Sequence, residues 1–214
     1  MVNIIGANNS IFNQFMSQLR NAEVQKDSMR FRRNLERIGE IMAYEISKKL
    51  TYETKEVITP LGFANMNLIA EKPVLATVLR AGLPLHQGLL NYFDDADNAF
   101  ISAYRKHHKD NTFEVKVEYL ATPELTGRTL ILADPMLATG SSMVLTYQAL
   151  LTRGIPAHIH IVSVVASTEG LAYVRRHLPE NVTFWLGAVD DELTVQSYIV
   201  PGLGDAGDLA FGTK

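Results

Sequence analysis

At residues 131–142 the sequence reads ILADPMLATGSS, and this stretch indicates both a fold class and a kind of chemistry. A short apolar segment ends in Asp134, small and hydroxyl-bearing residues follow, and a helix is predicted to begin near Ser142. The amides of such a loop and the first N–H groups of the helix converge where the helix dipole favours negative charge. Gly140 lets the backbone approach a ligand closely. The segment predicts a phosphate-monoester site, and a turn that only caps the helix is the alternative.

Outward from this stretch, apolar segments alternate with helical patterns. The apolar segments lie at residues 74–79, 129–133, 159–166 and 182–189, and the helical patterns lie at residues 83–93, 142–153 and 171–177. Near-continuous apolar strands that alternate with helices are typical of a parallel sheet covered on both faces. We therefore expect an α/β fold with a central parallel sheet flanked by helices. Ligands of such sheets bind beyond the carboxyl ends of the strands, where Arg80 and Asp134 both fall.

Two further elements extend this layout. Residues 27–50 have apolar residues at spacings of three and four, which predicts a helix capped by Asp27 or Ser28. Residues 98–122 contain a strand-like segment, a polar tip and a second segment that alternates apolar and polar residues. This pattern predicts a β-hairpin arm that stands off the core sheet.

Composition restricts the classes of protein and of chemistry. The 214 residues suit a single globular domain, and the formal charge of -3 gives no general basic field for nucleic acid or an anionic membrane. Because there is no cysteine, disulfides, thiolate zinc sites and cysteine nucleophiles are excluded. The first residues lack the pattern of a signal peptide, and the most apolar run, residues 159–166, is far too short to span a bilayer. We expect a cytoplasmic protein without nucleic-acid or membrane partners.

Three segments carry a resemblance to a known family. Residues 134–142 (DPMLATGSS) resemble the PRPP-binding loop of uracil phosphoribosyltransferases, and residues 78–83 (VLRAGL) resemble the pyrophosphate-side loop of that family. Residues 198–208 (YIVPGLGDAGD), followed by residues 211–213 (FGT), are similar to its C-terminal uracil site, which is the most specific of the three. The segments stand in the family's order and spacing. With weaker matches in the N-terminal helix, the resemblance covers nearly the whole chain.

The resemblance implies an enzyme with the type I phosphoribosyltransferase fold. Such a pentosyltransferase converts uracil and PRPP into UMP and diphosphate in pyrimidine salvage. The family layout implies a single domain over residues 1–214, with the hairpin arm at about 98–122 and a small uracil-binding hood at about 190–214. Magnesium is expected to arrive bound to PRPP, with no metal site in the protein, because this ion prefers oxygen ligands and retains several waters.

The resemblance also implies roles for individual residues. Catalytic roles fall to Asp134, Arg80 and Arg105, because a carboxylate can accept hydrogen bonds from the ribose hydroxyls and guanidinium groups can bind the pyrophosphate. The same three residues bind PRPP together with Asp205 and with the loop residues Pro135, Met136, Leu137, Ala138, Thr139, Gly140, Ser141 and Ser142. The uracil-binding residues, which are expected to match O2, N3–H and O4 largely through backbone groups, are Ile199, Gly204, Asp205 and Ala206.

Some positions depart from the family pattern. The run Lys106-His107-His108-Lys109 stands where many members have acidic residues, and Leu209 stands where many have arginine. Taken alone, Arg80 would equally suit a structural ion pair, and Arg105 a solvated charge. Some members are activated by GTP and assemble as homodimers or homotetramers, so a GTP effector and a homo-oligomer are expectations from the resemblance.

No general base is assigned, because no histidine lies in a matched motif. Three histidines lie nearby in the sequence and are interpreted as surface or structural residues: His86, His107 and His108.

Two other functions stay open. A regulatory protein of the same fold that senses UMP or PRPP and binds messenger RNA would need a basic face, which the net charge of -3 does not favour. A phosphoribosyltransferase for another base would need a different C-terminal motif.

Overall fold

The computed structural model describes the backbone of residues 1–107 and 113–213 and the side chains of residues 1–102 and 118–213. Its helices are α1 (Ile11–Arg20), α2 (Ser28–Ser47), α3 (Gly82–Leu90), α4 (Ser141–Leu150), α5 (Thr168–His177) and α6 (Ala206–Phe211). The strands of the first half are β1 (Val2–Ile4), β2 (Tyr52–Thr59), β3 (Gly62–Ile69), β4 (Val74–Leu79), β5 (Asp97–His107) and β6 (Phe113–Ala121). The strands of the second half are β7 (Thr129–Ala133), β8 (Met136–Leu137), β9 (His158–Ser167), β10 (Val182–Asp190), β11 (Glu192–Leu193) and β12 (Ile199–Val200).

The main sheet has the strand order β1-β10-β9-β7-β4-β5-β6, and the short strand β8 pairs with β9. The pairs from β1 to β5 along this order are parallel, and the pair β5–β6 is antiparallel. Helices connect the parallel strands, so the expected α/β class is confirmed. Strands β4 and β7 lie side by side with Thr77 opposite Ala133, which brings their carboxyl ends to neighbouring positions at one edge of the sheet.

Helices cover both faces of this sheet. On one face the core contains buried residues of α1, α2, α3 and α6, and on the other it contains buried residues of α4 and α5. Strand β7 supplies both cores, because Ile131 packs on the first face while Leu130 and Leu132 pack on the second. This two-sided burial explains why the central strands are near-continuous apolar runs. Among the helices that the structure describes, none has both the length and the apolar character to cross a membrane.

The predicted elements agree closely with the observed ones. Strands β4 and β7 match the predicted ranges, and β9 and β10 are longer by one or two residues. Helix α2 begins after Asp27, whose carboxylate accepts a hydrogen bond from the amide of Arg30 at 3.1 Å. It ends at Ser47 rather than at residue 50, because residues 48–50 turn towards β2.

The hairpin expected at residues 98–122 corresponds to β5 and β6, and residues 108–112 between them lie outside the described part of the chain. Its first half continues the main sheet rather than standing off it, because Asp97–Ser102 pair with Val74–Leu79. A register shift between Ser102 and Ala103 separates this half from the part beyond the end of β4.

A second hairpin, formed by β2 and β3, was not predicted from the sequence. Its strands pair antiparallel from Tyr52 opposite Ile69 to Thr59 opposite Gly62. Most of its side chains are exposed, including the large apolar residues Ile58, Leu61 and Phe63. Residues 64–68 of β3 alternate apolar and polar side chains, but β2 shows no such pattern, so the hairpin carries only part of the usual strand signal.

Candidate active site

Strand β9 holds the loop between β7 and α4 in place through hydrogen bonds. The carbonyl of Pro135 accepts hydrogen bonds from the amides of Val164 and Val165, both at 3.0 Å. Further along, the hydroxyl of Ser167 donates to the carbonyl of Ala138 at 2.6 Å. These contacts leave the backbone of the loop little freedom, so it forms a rigid turn above the end of the sheet.

The loop ends at Gly140, immediately before α4. Gly140 has a φ of 78°, and a Cβ at this position would lie 2.6 Å from Val174 Cγ2 and 2.8 Å from the carbonyl oxygen of Gly170. The hydroxyl oxygens of Thr139 and Ser141 lie 2.8 Å apart, at the N-terminal end of α4. A helix N-terminus with clustered hydroxyls is the arrangement that suits an anion. The predicted helix start near Ser142 is thus found one residue earlier, at Ser141.

Asp134 and Arg80 lie at the carboxyl ends of the two neighbouring strands. The half-buried Asp134 follows β7 directly, and its carboxylate accepts a hydrogen bond from the amide of Met136 at 3.2 Å. Arg80 follows β4 across a cis peptide bond with Leu79. Its guanidinium donates to the carboxylate of Asp208 at 3.0 Å and to the carbonyl of Gly212 at 3.2 Å. The pyrophosphate-side segment and the C-terminal segment are therefore in direct contact.

The C-terminal segment folds over this edge of the sheet and ends in α6. The carboxylate of Asp205 caps α6 by accepting hydrogen bonds from the amides of Gly207 at 2.9 Å and Asp208 at 3.0 Å. Ile199 and Ala206 are buried in the core, whereas Gly204 is exposed and has a φ of 86°. The four residues expected to bind uracil thus lie together on one short segment with an accessible backbone at Gly204.

An ion pair between the half-buried Arg20 and the buried Asp190 fixes the start of this segment. The Arg20 guanidinium donates to both carboxylate oxygens of Asp190, at 2.7 and 2.8 Å, and to the carbonyl of Gly202 at 2.9 Å. Burial acts to raise the pKa of Asp190, but hydrogen bonds from Arg20 and from the amide of Gly202 outweigh it, so this pKa lies below its usual value. Sequence reasoning missed this pair, since Arg20 and Asp190 are 170 positions apart and neither belongs to a recognisable motif.

The structure also locates two residues that the sequence left without a functional role. Leu209 packs against the core that α6 shares with α2, near Gly204. His86 is buried on α3, its ring lies 5.2 Å from that of Phe100, and burial lowers its pKa. These two side chains therefore serve packing.

Five residues named from the sequence are described only in part or not at all: Lys106 is described by its backbone in β5 alone, Lys109 lies outside the described residues, and the other three are Arg105, His107 and His108. The backbones of Arg105 and His107 belong to β5, but their side chains lie outside the described residues, as does the whole of His108.

Comparison with known proteins identifies the family. A family model described as uracil phosphoribosyltransferase matches residues 7–213. The chain belongs to the uracil phosphoribosyltransferase family. It is 55% identical over 210 residues to a uracil phosphoribosyltransferase of Porphyromonas gingivalis, covering 98% of this chain and 97% of that protein.

A more distant member of the uracil phosphoribosyltransferase family and one solved structure agree with this assignment. A uracil phosphoribosyltransferase of Methanothermobacter thermautotrophicus is 40% identical over 188 residues, covering 87% of this chain and 85% of that one. A solved structure of a protein from Aquifex aeolicus superposes with a TM-score of 0.88 at 28% identity, covering 100% of this chain and 99% of that one. The resemblance drawn from the three sequence segments is confirmed, and with it the type I phosphoribosyltransferase fold. The roles of single residues stay predictions.

Proposed function

We propose that this protein transfers the 5-phosphoribosyl group of PRPP to N1 of uracil, giving UMP and diphosphate, as a step of UMP salvage. The observation that carries the proposal is the contact of Arg80 with Asp208 and Gly212. It joins the two segments that would bind diphosphate and base at the edge of the sheet where the phosphate loop begins. Family membership over residues 7–213 supports the same activity.

The phosphoribosyl half of the substrate fits the loop after β7. We assign the 5-phosphate to the amides and hydroxyls of residues 138–142, at the N-terminus of α4, where oriented N–H groups stabilise negative charge. Pro135, Met136 and Leu137 shape the loop on β9, and Asp134 would accept hydrogen bonds from the two ribose hydroxyls.

The diphosphate half of the substrate lies beside the ribose in this proposal. Arg80 and Arg105 would bind it through charge-assisted hydrogen bonds, and Asp205 would contact PRPP from the hood. For Arg105 this role rests on the sequence pattern alone.

Uracil, the second substrate, fits the backbone between Ile199 and Ala206. Uracil offers O2 and O4 as acceptors and N3–H as a donor, and backbone groups of this segment, with Gly204 accessible, can match that pattern. Cytosine would place an amino donor where uracil has O4, so a backbone N–H would face another donor. Because a buried unmatched polar group is costly, we expect discrimination on the order of 10⁴-fold in kcat/KM.

The reaction is a displacement at the anomeric carbon with an oxocarbenium-like transition state. Uracil N1 forms the new C–N bond on one face while the C–O bond to diphosphate breaks on the other, so the centre inverts. The N1 proton passes to solvent water. Catalysis then comes chiefly from orienting the two substrates and from stabilising the charge on the leaving diphosphate. No side chain is assigned as a general base.

Magnesium would enter with PRPP. Among the described residues, no group of three or more His, Asp and Glu side chains could hold a metal ion. Carboxylates of Asp134 and Asp205 near the ligand suit a water-coordinated ion that is held mainly by diphosphate oxygens. The chemistry that it supplies is neutralisation of the leaving group.

The oligomeric and regulatory expectations are also part of the proposal. A homodimer or homotetramer is supported by the β2–β3 hairpin, because a two-stranded ribbon with exposed Ile58, Leu61 and Phe63 is marginally stable without a partner surface. A GTP effector rests on the family resemblance alone.

A base-selectivity assay tests the proposal. Purified protein is incubated with magnesium, PRPP and one of uracil, cytosine, orotate or hypoxanthine, and both nucleotide and diphosphate are measured. UMP and diphosphate are expected in equal amounts from uracil alone. Equal or faster product from another base would overturn the assignment of the hood. Folded protein that binds UMP but makes no product would favour a UMP sensor instead.

A further inference from the structure

Arg80 is held by the hood at two points. Its Nη2 lies 3.0 Å from the carboxylate of Asp208, and its Nη1 lies 3.2 Å from the carbonyl of Gly212. The side chains of Arg80 and Asp208 are 35% and 38% exposed, so the pair is accessible to solvent and does not lie in the core. Asp208 lies within the C-terminal motif, but none of the substrate contacts proposed above involves it.

Asp208 is itself fixed by its surroundings. Its amide donates to the carboxylate of Asp205 at 3.0 Å, and its carbonyl accepts from the amide of Gly212 at 2.8 Å. Helix α6 is anchored on the core by the buried Ala210, whose carbonyl accepts a hydrogen bond from Arg32 at 2.6 Å. The backbone that presents the Asp208 carboxylate is therefore rigid.

The pairing leaves donors on Arg80 for a ligand. A guanidinium has five N–H donors in a planar fork. The contacts with Asp208 and Gly212 each need one of these donors, which leaves three for an anion. Fixing the plane of the fork in advance reduces the side-chain entropy that Arg80 would lose when it binds an anion.

We propose that Asp208 is a positioning residue, which orients the Arg80 guanidinium so that this arginine binds diphosphate while it stays attached to the uracil-binding hood. The inference rests on the proposed function and deepens it. Asp208 does not touch the substrate and acts only through Arg80.

Two substitutions separate charge from hydrogen bonding. Asp208→Ala removes the partner of Arg80, and we expect kcat/KM for PRPP to fall roughly 3- to 30-fold, within the range of a charge-assisted hydrogen bond that solvent weakens. Asp208→Asn retains an oxygen acceptor in the same place and is expected to restore most of the loss. Glu192→Ala, which removes another exposed carboxylate of the hood, is the matched control and is expected to leave the kinetics unchanged.

A double-mutant cycle with Arg80 decides the mechanism. If Asp208 acts through Arg80, then Asp208→Ala should change kcat/KM for PRPP by less than twofold in an Arg80→Ala background. An undiminished effect in that background would overturn the proposal, and so would tighter diphosphate binding by Asp208→Ala, which would show that the pair inhibits binding. If Asp208→Ala does not fold, as judged by thermal unfolding, Asp208→Leu, which branches at Cγ like aspartate but has no acceptor, replaces it in both backgrounds.

A binding measurement keeps this inference distinct from the proposed function. The same cycle is run with magnesium and inorganic diphosphate by isothermal titration calorimetry, which needs no turnover. A protein that makes no UMP but shows the non-additive loss in diphosphate affinity would refute the proposed function and support the role of Asp208. An additive loss of diphosphate affinity in an enzyme that makes UMP would support the proposed function and refute the role of Asp208.

Discussion

Replacement of Gly140 by alanine should disturb the phosphate loop, the segment of residues 134–142 that we propose binds the 5-phosphate, and the cost can be calculated from the surroundings of Gly140. Gly140 has a φ of 78°, which costs a residue with a Cβ about 1–2 kcal/mol. The added Cβ would also lie 2.6 Å from Val174 Cγ2 and 2.8 Å from the Gly170 carbonyl oxygen. Such overpacking costs about 1–3 kcal/mol more. The free energy of unfolding should therefore fall by about 2–5 kcal/mol.

Gly127 provides a matched control for this substitution. Its φ is 74°, but a Cβ there would have no atom within 4 Å. Gly127→Ala should therefore cost only the backbone part, about 1–2 kcal/mol, and should leave PRPP kinetics unchanged.

Urea unfolding and steady-state kinetics together test this comparison. Because the loop must move to admit the methyl group at Gly140, kcat/KM for PRPP in Gly140→Ala should fall roughly 10- to 100-fold. Equal stability of the two variants, with PRPP kinetics like those of the unchanged protein, would refute the role of close packing against α5 in shaping the loop.

Three further predictions concern other parts of the molecule. Asp134→Asn should lower kcat/KM for PRPP roughly 10- to 150-fold without lowering the melting temperature, and unchanged kinetics would remove Asp134 from the ribose site. Arg20→Ala leaves Asp190 buried without its partner and should cost about 1.5–3 kcal/mol in urea unfolding, whereas Arg30→Ala, which breaks an exposed pair, should cost less than about 1 kcal/mol. Burial and the neighbouring His158 lower the pKa of His160 from 6.5 to about 3, so below pH 6.5 only the unfolded chain binds this proton and stability falls. Urea unfolding should show a loss of about 2.3 kcal/mol from this group between pH 6.5 and 4.5, which His160→Gln should abolish.

Much of the sheet could be predicted because its central strands are buried on both faces. Strands β4 and β7 are continuous apolar runs that end in charged residues, so their bounds follow directly from the sequence. The position of the phosphate loop was predictable for the same reason, since a small-residue turn follows a buried strand and precedes a helix.

Other features depend on tertiary contacts that no local pattern records. Most side chains of the β2–β3 hairpin are exposed, and only residues 64–68 alternate apolar and polar side chains, so its sequence signal is weak. The contact of Arg80 with Asp208 joins residues 128 positions apart, and the packing of Gly140 against Val174 depends on how α5 crosses the loop. Such long-range contacts position the site, and they exist only in the folded structure.

A crystal structure of the protein with UMP would test the central claim most directly, since UMP carries both the 5-phosphate and the base. We expect the phosphate oxygens within hydrogen-bonding distance of amides or hydroxyls of residues 138–142, and the uracil ring against the backbone of Ile199, Gly204 and Ala206. A phosphate bound away from the N-terminus of α4, or a base outside the hood, would contradict the account.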